Sequence, residues 1–227
     1  MTAASIRARV RAEMTDEIKS VARRHLATDG ANLSLRAVAR DLGMASSAVY
    51  RYFASRDELL TALIIDAYDA LGAAAEQAEA AVDRDDFLGR FLATGHAVRD
   101  WALAQPHEWA LIYGSPVPGY QAPRDTVAPA IRVALLLGRL TGEAVGAGRL
   151  EIGEPIGGTL SAELVTLAEQ VAPAAPPQVI ARTVQCWIQL VGAVSFELFG
   201  QLDNTIDARR DFLDFQLRGA AGYLGLR

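Results

Sequence analysis

The chain has 227 residues, 51% of them hydrophobic and 22% charged, which is enough apolar material for one or two packed domains and excludes a mainly disordered chain. Its net charge of −5 taken whole argues against a nucleic-acid partner, but the charge is unevenly placed. Residues 1–56 hold ten Lys/Arg against five Asp/Glu, net +5, and residues 57–227 hold twelve against twenty-two, net −10: a basic head on an acidic body, suited to presenting one end to phosphates.

The first expected element is an amphipathic helix over residues 6–28, where Val10, Met14, Ile18, Val21, Ala22 and Leu26 follow the helical period and Asp29-Gly30 closes it. Its other face carries Arg7, Arg11, Arg23 and Arg24, either reaching phosphates or simply solvated, and the residues before Ile6 are expected to be disordered. Residues 33–60 read as a short helix, a tight turn and a second short helix. Ser34 can accept from the exposed amides of the first, Val38, Ala39 and Leu42 make a narrow apolar stripe, and Gly43 can take the left-handed conformation that ends a helix. Tyr50, Tyr52 and Phe53 follow. Ser55 then looks like the cap of a third helix whose first turn holds Asp57 and Glu58, where acids favour the dipole. This is the grammar of a helix-turn-helix, whose second helix enters the major groove of DNA.

The helix from Ser55 continues through Leu60, Ile64, Tyr68 and Leu71 to about residue 81, and Asp83-Arg84-Asp85-Asp86 is a polar break. Residues 86–105 form a helix stopped by Pro106, residues 107–113 a short one, and residues 114–120 a turn-rich segment. Residues 124–145 read as one long helix, apolar on nearly all sides and therefore deeply buried. Helices are also expected over 159–170, 178–200 and 207–223, with a proline-rich linker at 173–177. No period-two stretch occurs, so the chain is expected to be all-α with about nine to ten helices. No run of about eighteen uncharged apolar residues occurs, and the first ten residues lack the apolar core of a signal peptide. A cytoplasmic protein with no membrane partner is expected. The single cysteine, Cys186, excludes an intrachain disulfide and a cysteine metal cluster.

Residues 33–63, with their alanine-rich helix, glycine turn, Tyr50-x-Tyr52-Phe53 and leucine-rich helix, closely resemble the tetracycline-repressor (TetR) family of bacterial regulators. The segment Trp101-x4-Pro106-x2-Trp109-x-Leu111-Ile112-Tyr113-Gly114-Ser115-Pro116-Val117-Pro118-Gly119-Tyr120 is similar to the WHG-type regulatory region found behind such heads. Together they imply a helix-turn-helix DNA-binding domain over 1–56, a connecting helix over about 56–81, and a helical ligand-binding and dimerisation domain over 82–227.

By that resemblance, Ser46, Ser47 and Ala48 approach base edges, Tyr50, Tyr52 and Arg56 approach phosphates, and Ser34 and Arg36 are the matching candidates on the preceding helix. Arg51 can reach the O6/N7 edge of a guanine or only a phosphate. The family often has Ser or Thr where this chain has Ala45, so the second helix lacks its usual cap unless Ser46 takes it over, and Ala48 offers only a methyl group to a thymine methyl. A small-molecule effector pocket in the regulatory half would draw on buried aromatics with a few polar groups. Its candidates are His96, Trp101, Trp109, Tyr113, Arg132, Leu136, Trp187, Val191 and Phe196. Most aromatics at helical spacing are simply core.

Chemistry is poorly supported. His107-Glu108 begins a zinc-protease motif, but Leu111 stands where the second histidine should be, and no metal-ligand spacing or nucleophile elbow occurs. No enzyme, metal or cofactor is expected. A single recognition helix reads few base pairs, so the head is expected to act in a homodimer. The last two helices, with Trp187, Ile188, Val191, Val194, Phe196, Leu198 and Phe199, then Phe212, Leu213, Phe215, Leu217 and Tyr223, would close a four-helix interface. The reading is a ligand-responsive repressor that holds a near-palindromic, double-stranded operator as a dimer. Its rival is a helical ligand-binding or protein-interaction module with a weakened DNA head.

Overall fold

The expected first helix forms as α1, Ala3–Asp29. Residues 3–29, 33–173 and 175–226 are described by the computed structural model. Helix α1 begins before Ile6, in contrast to the expected disorder, because Ala, Arg and Glu in its first turns are good helix formers. Gly30, expected to close it, lies outside the described residues. There follow α2 (Leu35–Asp41), α3 (Ser46–Val49), α4 (Arg56–Ala80), α5 (Phe87–Ala104), α6 (Pro106–Tyr113), α7 (Val127–Ala130), α8 (Arg132–Gly146), α9 (Gly158–Val171), α10 (Pro177–Leu198) and α11 (Arg209–Leu224). Among the described residues there is no strand, only an isolated bridge between Leu150 and Leu226. The fold is all-α. Among the described residues there are eleven α-helices, one beyond the expected nine to ten, because the segment expected as a single helix over 124–145 divides into the four-residue α7 and α8.

The chain divides into two compact units, Met1–Tyr68 with Gln105–Val127, and Asp69–Ala104 with Ala128–Arg227. The first therefore takes in α6 and the segment after it, which the expected boundary near residue 82 assigned to the regulatory half. Its core is Ile18, Val21, Leu26, Leu33, Leu35, Val38, Ala39, Val49, Phe53, Leu59 and Leu63, with Leu111 of α6 packed against it. Polar ties reinforce the apolar ones. Arg23 of α1 donates from Nε to Glu108 of α6 at 2.6 Å and from Nη2 to Asp66 of α4 at 2.7 Å. The Tyr68 hydroxyl donates to the Ile112 carbonyl at 3.2 Å.

The second unit is built on α5, α8, α9, α10 and α11. Phe87, Phe91, Val98, Leu137, Leu140, Ile180, Val194 and Leu217 are buried in it. Gly95 on α5 leaves the space that the Leu217 side chain of α11 fills, since a Cβ there would lie 2.5 Å from Leu217 Cδ2. Two ionic groups are sunk into this unit. Arg90, 1% exposed, donates from Nε to Glu79 at 2.6 Å and from Nη2 to Glu143 at 2.8 Å, while Arg84 meets the same two carboxylates. Arg99 of α5 grips both carboxylate oxygens of the buried Glu197 on α10.

The single long helix expected over residues 124–145 is broken. A 3₁₀ turn at Arg124–Thr126 and α7 precede α8, because Pro129 cannot donate to the carbonyl four residues back. Helix α8 is also two-faced, burying Val133, Leu136, Leu137, Leu140 and Ala144 and exposing Arg139. Helix α10 is long and apolar enough, by length and composition alone, to cross a membrane. That breadth of apolar surface follows from its burying one face on α8 and α9 while Ile188 and Phe196 on another face remain exposed.

Cys186 on α10 is 3% exposed and its thiol donates to the Ala220 carbonyl at 3.6 Å. Burial pushes the thiol up to about 11, outweighing the nearby Arg182. At pH 8 the native protein should therefore resist iodoacetamide, and labelling should become fast only in denaturant, as read by intact mass. Equal rates in both conditions would mean that the α10–α11 packing opens readily.

Candidate nucleic-acid interface

The helix-turn-helix is assembled by local rules. Ser34 is extended (φ −124°, ψ 115°) and its hydroxyl accepts from the Ala37 amide at 3.4 Å, capping α2. At the other end Gly43 (φ 65°) donates to the Arg40 carbonyl at 3.0 Å and Met44 donates to the Ala39 carbonyl at 2.9 Å. This is the paired bonding of a Schellman turn, which uses the orphan carbonyls and reverses the chain. A Cβ on Gly43 would meet nothing within 4 Å, so the need for glycine is conformational alone. Helix α3 follows, seated by the fully buried Val49. Ser55 then caps α4, accepting from the Glu58 amide at 3.1 Å, as its place in the sequence led one to expect.

All nine expected DNA-contact residues lie on this α2–α3–α4 stretch of the first unit. Ser34, Arg36, Ser46, Ser47, Tyr50 and Arg51 are exposed, and Ala48, Tyr52 and Arg56 are half-buried. Arg56 Nε donates to the Leu33 carbonyl at 3.1 Å, which holds the side chain beside the start of α2. Tyr52 leans on the core and lies under the Arg11 guanidinium, 5.1 Å from its ring centre. Arg11 Nη2 also donates to the Arg51 carbonyl at 3.0 Å. Helix α1 thus grips the turn that ends α3, a contact that local sequence patterns cannot reveal across forty residues.

The expected pocket residues are dispersed. Trp109 and Tyr113 belong to the first unit, with ring centres 4.6 Å apart, and Trp109 is fully buried. The remaining seven belong to the second. There Arg132 is committed to Glu76, at 2.9 and 2.7 Å, and to Asp69 at 3.1 Å. Arg132 holds the Glu76 carboxyl below its usual range. His96 Nε2 pairs with Asp214 at 3.0 Å and, with Arg218, pulls that carboxyl down too. Leu136 is core, Trp101 and Val191 are half-buried, and Phe196 is exposed beside Leu202 and Phe212. Trp187 lines an apolar cavity, of about 50 Å³, between α8, α9 and α10, with Ala134, Gly138, Leu167, Val171, Ile180, Thr183 and Val184. Its indole Nε1 is buried without a hydrogen-bond partner.

Two family models match the chain. Residues 18–63 match the bacterial regulatory proteins of the tetR family, and residues 91–220 match a tetracyclin repressor-like C-terminal domain. The second match spans 130 residues, more than half of the chain. This chain belongs to the TetR family. Its relatives include the HTH-type transcriptional regulators Rv1816 of Mycobacterium tuberculosis (strain ATCC 25618 / H37Rv) and Mb1846 of Mycobacterium bovis (strain ATCC BAA-935 / AF2122/97). Each is 39% identical over 194 residues, covering 84% of this chain and 83% of theirs. Among solved structures, the regulatory protein SCO4313 is 34% identical with a TM-score of 0.77, covering 94% of this chain and 98% of that one.

In this TetR-family transcriptional regulator, helix α3 starts without a side-chain cap. Ala45 (φ −62°, ψ 138°) stands at the cap position of α3 and makes no side-chain bond. Ser46 does not take over, because it is already the first helical residue. Ala45→Thr should offer a side-chain acceptor to the Ser47 amide, since the Ala48 amide already donates to the Ala45 carbonyl at 2.8 Å, and should raise stability by about 1 kcal/mol. Thermal unfolding would read this, and an unchanged or lowered midpoint would show that the hydroxyl cannot reach that amide.

Proposed function

We propose that this transcriptional regulator is a ligand-responsive repressor that holds a near-palindromic operator as a homodimer and releases it when a small molecule fills the helical regulatory domain. The observation that carries the reading is the exposed set of Ser46 and Ser47 on α3 with Tyr50 and Arg51 in the turn that ends it, all seated by the buried Val49. Small hydroxyls, a phenol and a guanidinium on one rigid element are the chemistry of groove contact. Dimerisation through α10 and α11 is supported by their exposed apolar side chains Ile188, Phe196, Phe199, Phe215 and Tyr223, which a monomer leaves in water. The apolar cavity at Trp187 is the candidate seat for that small molecule, and since it holds only about 50 Å³ against the roughly 300 Å³ of a ligand pocket, α8, α9 and α10 would have to part to admit one. The working compartment is the cytoplasm, where the operator is.

Selection of random duplex DNA on the purified protein tests the reading. A near-palindrome should be enriched, and Arg51→Ala should relax preference at one position per half-site, worth about 1–3 kcal/mol. No enrichment at any salt concentration would sink it.

The second reading, a ligand-binding or interaction module with a weakened head, is favoured by one feature: the uncapped, four-residue α3. Its mark would be the absence of the steep salt dependence that neutralising several phosphates imposes.

A further inference from the structure

Between the end of α1 and one face of α6 the first unit is not filled. A cleft of about 370 Å³ remains, within the range of roughly 300–1,000 Å³ that small ligands occupy and several times the size of the cavity at Trp187. Leu26 lines it from α1, His107, Ala110 and Leu111 from α6, and Ser115 and Val117 from the segment that follows α6. All of these residues belong to the one compact unit. The floor is the head core itself, since Leu26 is part of that core and Leu111 packs against it.

The lining has a direction. His107, Ala110 and Leu111 are spaced by three and four residues and so share one stripe of α6. About 9 Å of helix separates His107 from Tyr113 at the end of α6, and Ser115 lies just beyond it. His107 and Ser115 are exposed, and neither forms a hydrogen bond or ion pair among the described residues. Glu108, the carboxylate nearest to His107 in sequence, is held by Arg23 at 2.6 Å, and no acidic side chain lines the cleft. An apolar trough with an imidazole at one end and no acid to repel an anion suits a chain that ends in a carboxylate. The imidazole supplies a donor, and a hydrogen bond to an ionised acceptor is roughly twice as strong as one between neutral groups. The pair His107-Glu108, which leads to no metal site among the described residues, thus divides its work: the glutamate ties α6 to α1 and the histidine lines the cleft beside that tie.

We propose that this cleft is a second small-molecule site, in the first unit and separate from any effector seat in the regulatory half, and that it takes an elongated amphiphile with a carboxylate head. The apolar chain lies on Leu26, Ala110 and Leu111, and His107 donates to the carboxylate. The occupant bridges α1 and α6, so it stabilises the unit that carries the helix-turn-helix by binding only its folded form. The inference rests on neither the operator reading nor the effector reading.

The test uses the full chain and octanoate, below its micellar concentration, read by isothermal titration calorimetry and thermal unfolding. Octanoate should bind saturably, one molecule per chain, and raise the unfolding midpoint. Octanol, with the same chain and no charge, should bind at least about tenfold more weakly, and His107→Ala should weaken octanoate by a similar factor while leaving octanol nearly unaffected. Ala27→Trp, on the exposed last turn of α1 and in the lining of the cleft, should fill the trough and abolish binding of both. Both substitutions fall at exposed positions, and circular dichroism would verify the fold. Ala134→Leu, which narrows the cavity at Trp187 instead, should leave the octanoate affinity as it was. Absence of saturable octanoate binding, or binding that survives Ala27→Trp, overturns the inference. Binding lost in Ala134→Leu would place octanoate in the second unit and overturn it as well. Equal affinity for octanoate and octanol, or an affinity untouched by His107→Ala, would mean an apolar cleft without anion recognition and would sink the assignment of the carboxylate.

Discussion

Replacing Arg90 with methionine should destabilise the second unit by about 3–5 kcal/mol, lowering its unfolding midpoint by roughly 10 °C. The guanidinium is 1% exposed and stands between Glu79 of α4 and Glu143 of α8, and its third edge donates to the Arg84 carbonyl at 3.0 Å. Glu79 is itself 5% exposed, so losing Arg90 leaves a buried carboxylate with only Arg84 to balance it. The pair is costly to break and not strongly stabilising to keep, because two ions were taken out of water to make it. Arg90→Met combined with Glu79→Leu should therefore recover much of what the single change loses. Calorimetry on both variants checks this. A single variant within about 1 kcal/mol of the parent would mean that water reaches the cluster.

Trp109→Ala should cost about 3–5 kcal/mol in the first unit, and Trp109→Phe markedly less. The indole is fully buried, with Tyr113 at 4.6 Å and Tyr113 in turn edge-on to Tyr68 at 5.9 Å. Truncation leaves a void that α6 cannot close without shifting Glu108 from Arg23, which also anchors Asp66. The DNA-binding helices share this unit, so operator affinity should fall with stability and recover at lower temperature. Guanidinium unfolding followed by circular dichroism, with binding measured alongside, distinguishes the outcomes. A stable variant with altered response to a ligand would instead make Trp109 a pocket wall.

The head was legible because its rules are local. A cap at Ser34, a left-handed glycine nine residues later at position 43 and a second cap at Ser55 lie within two dozen residues of one another, and each acts on its own turn of chain. The shortness of α3 was not legible, since nothing at Tyr50 forbids a helix. Nor was the membership of α6 in the first unit. It depends on Arg23 finding Glu108 eighty-five residues away, and a sequence window shows only two solvated charges. The same holds for Arg99 and Glu197, ninety-eight residues apart, which read singly as surface groups on otherwise apolar helices. Pocket candidates chosen by residue type were scattered for a related reason: helical spacing reports which face is apolar, not which faces meet.

The Arg99–Glu197 pair has a practical corollary. Mobile ions screen charges they can approach, and at physiological ionic strength that screening acts over about 8 Å of solvent. They have little access to a pair whose side chains are only 11% and 7% exposed between α5 and α10. The exposed arginines of the head, Arg36 and Arg51 among them, have no such shelter. Added salt should therefore act as a selective reagent on this protein, stripping it from DNA at concentrations that leave its scaffold untouched. An elution gradient on immobilised operator would release folded, reusable regulator.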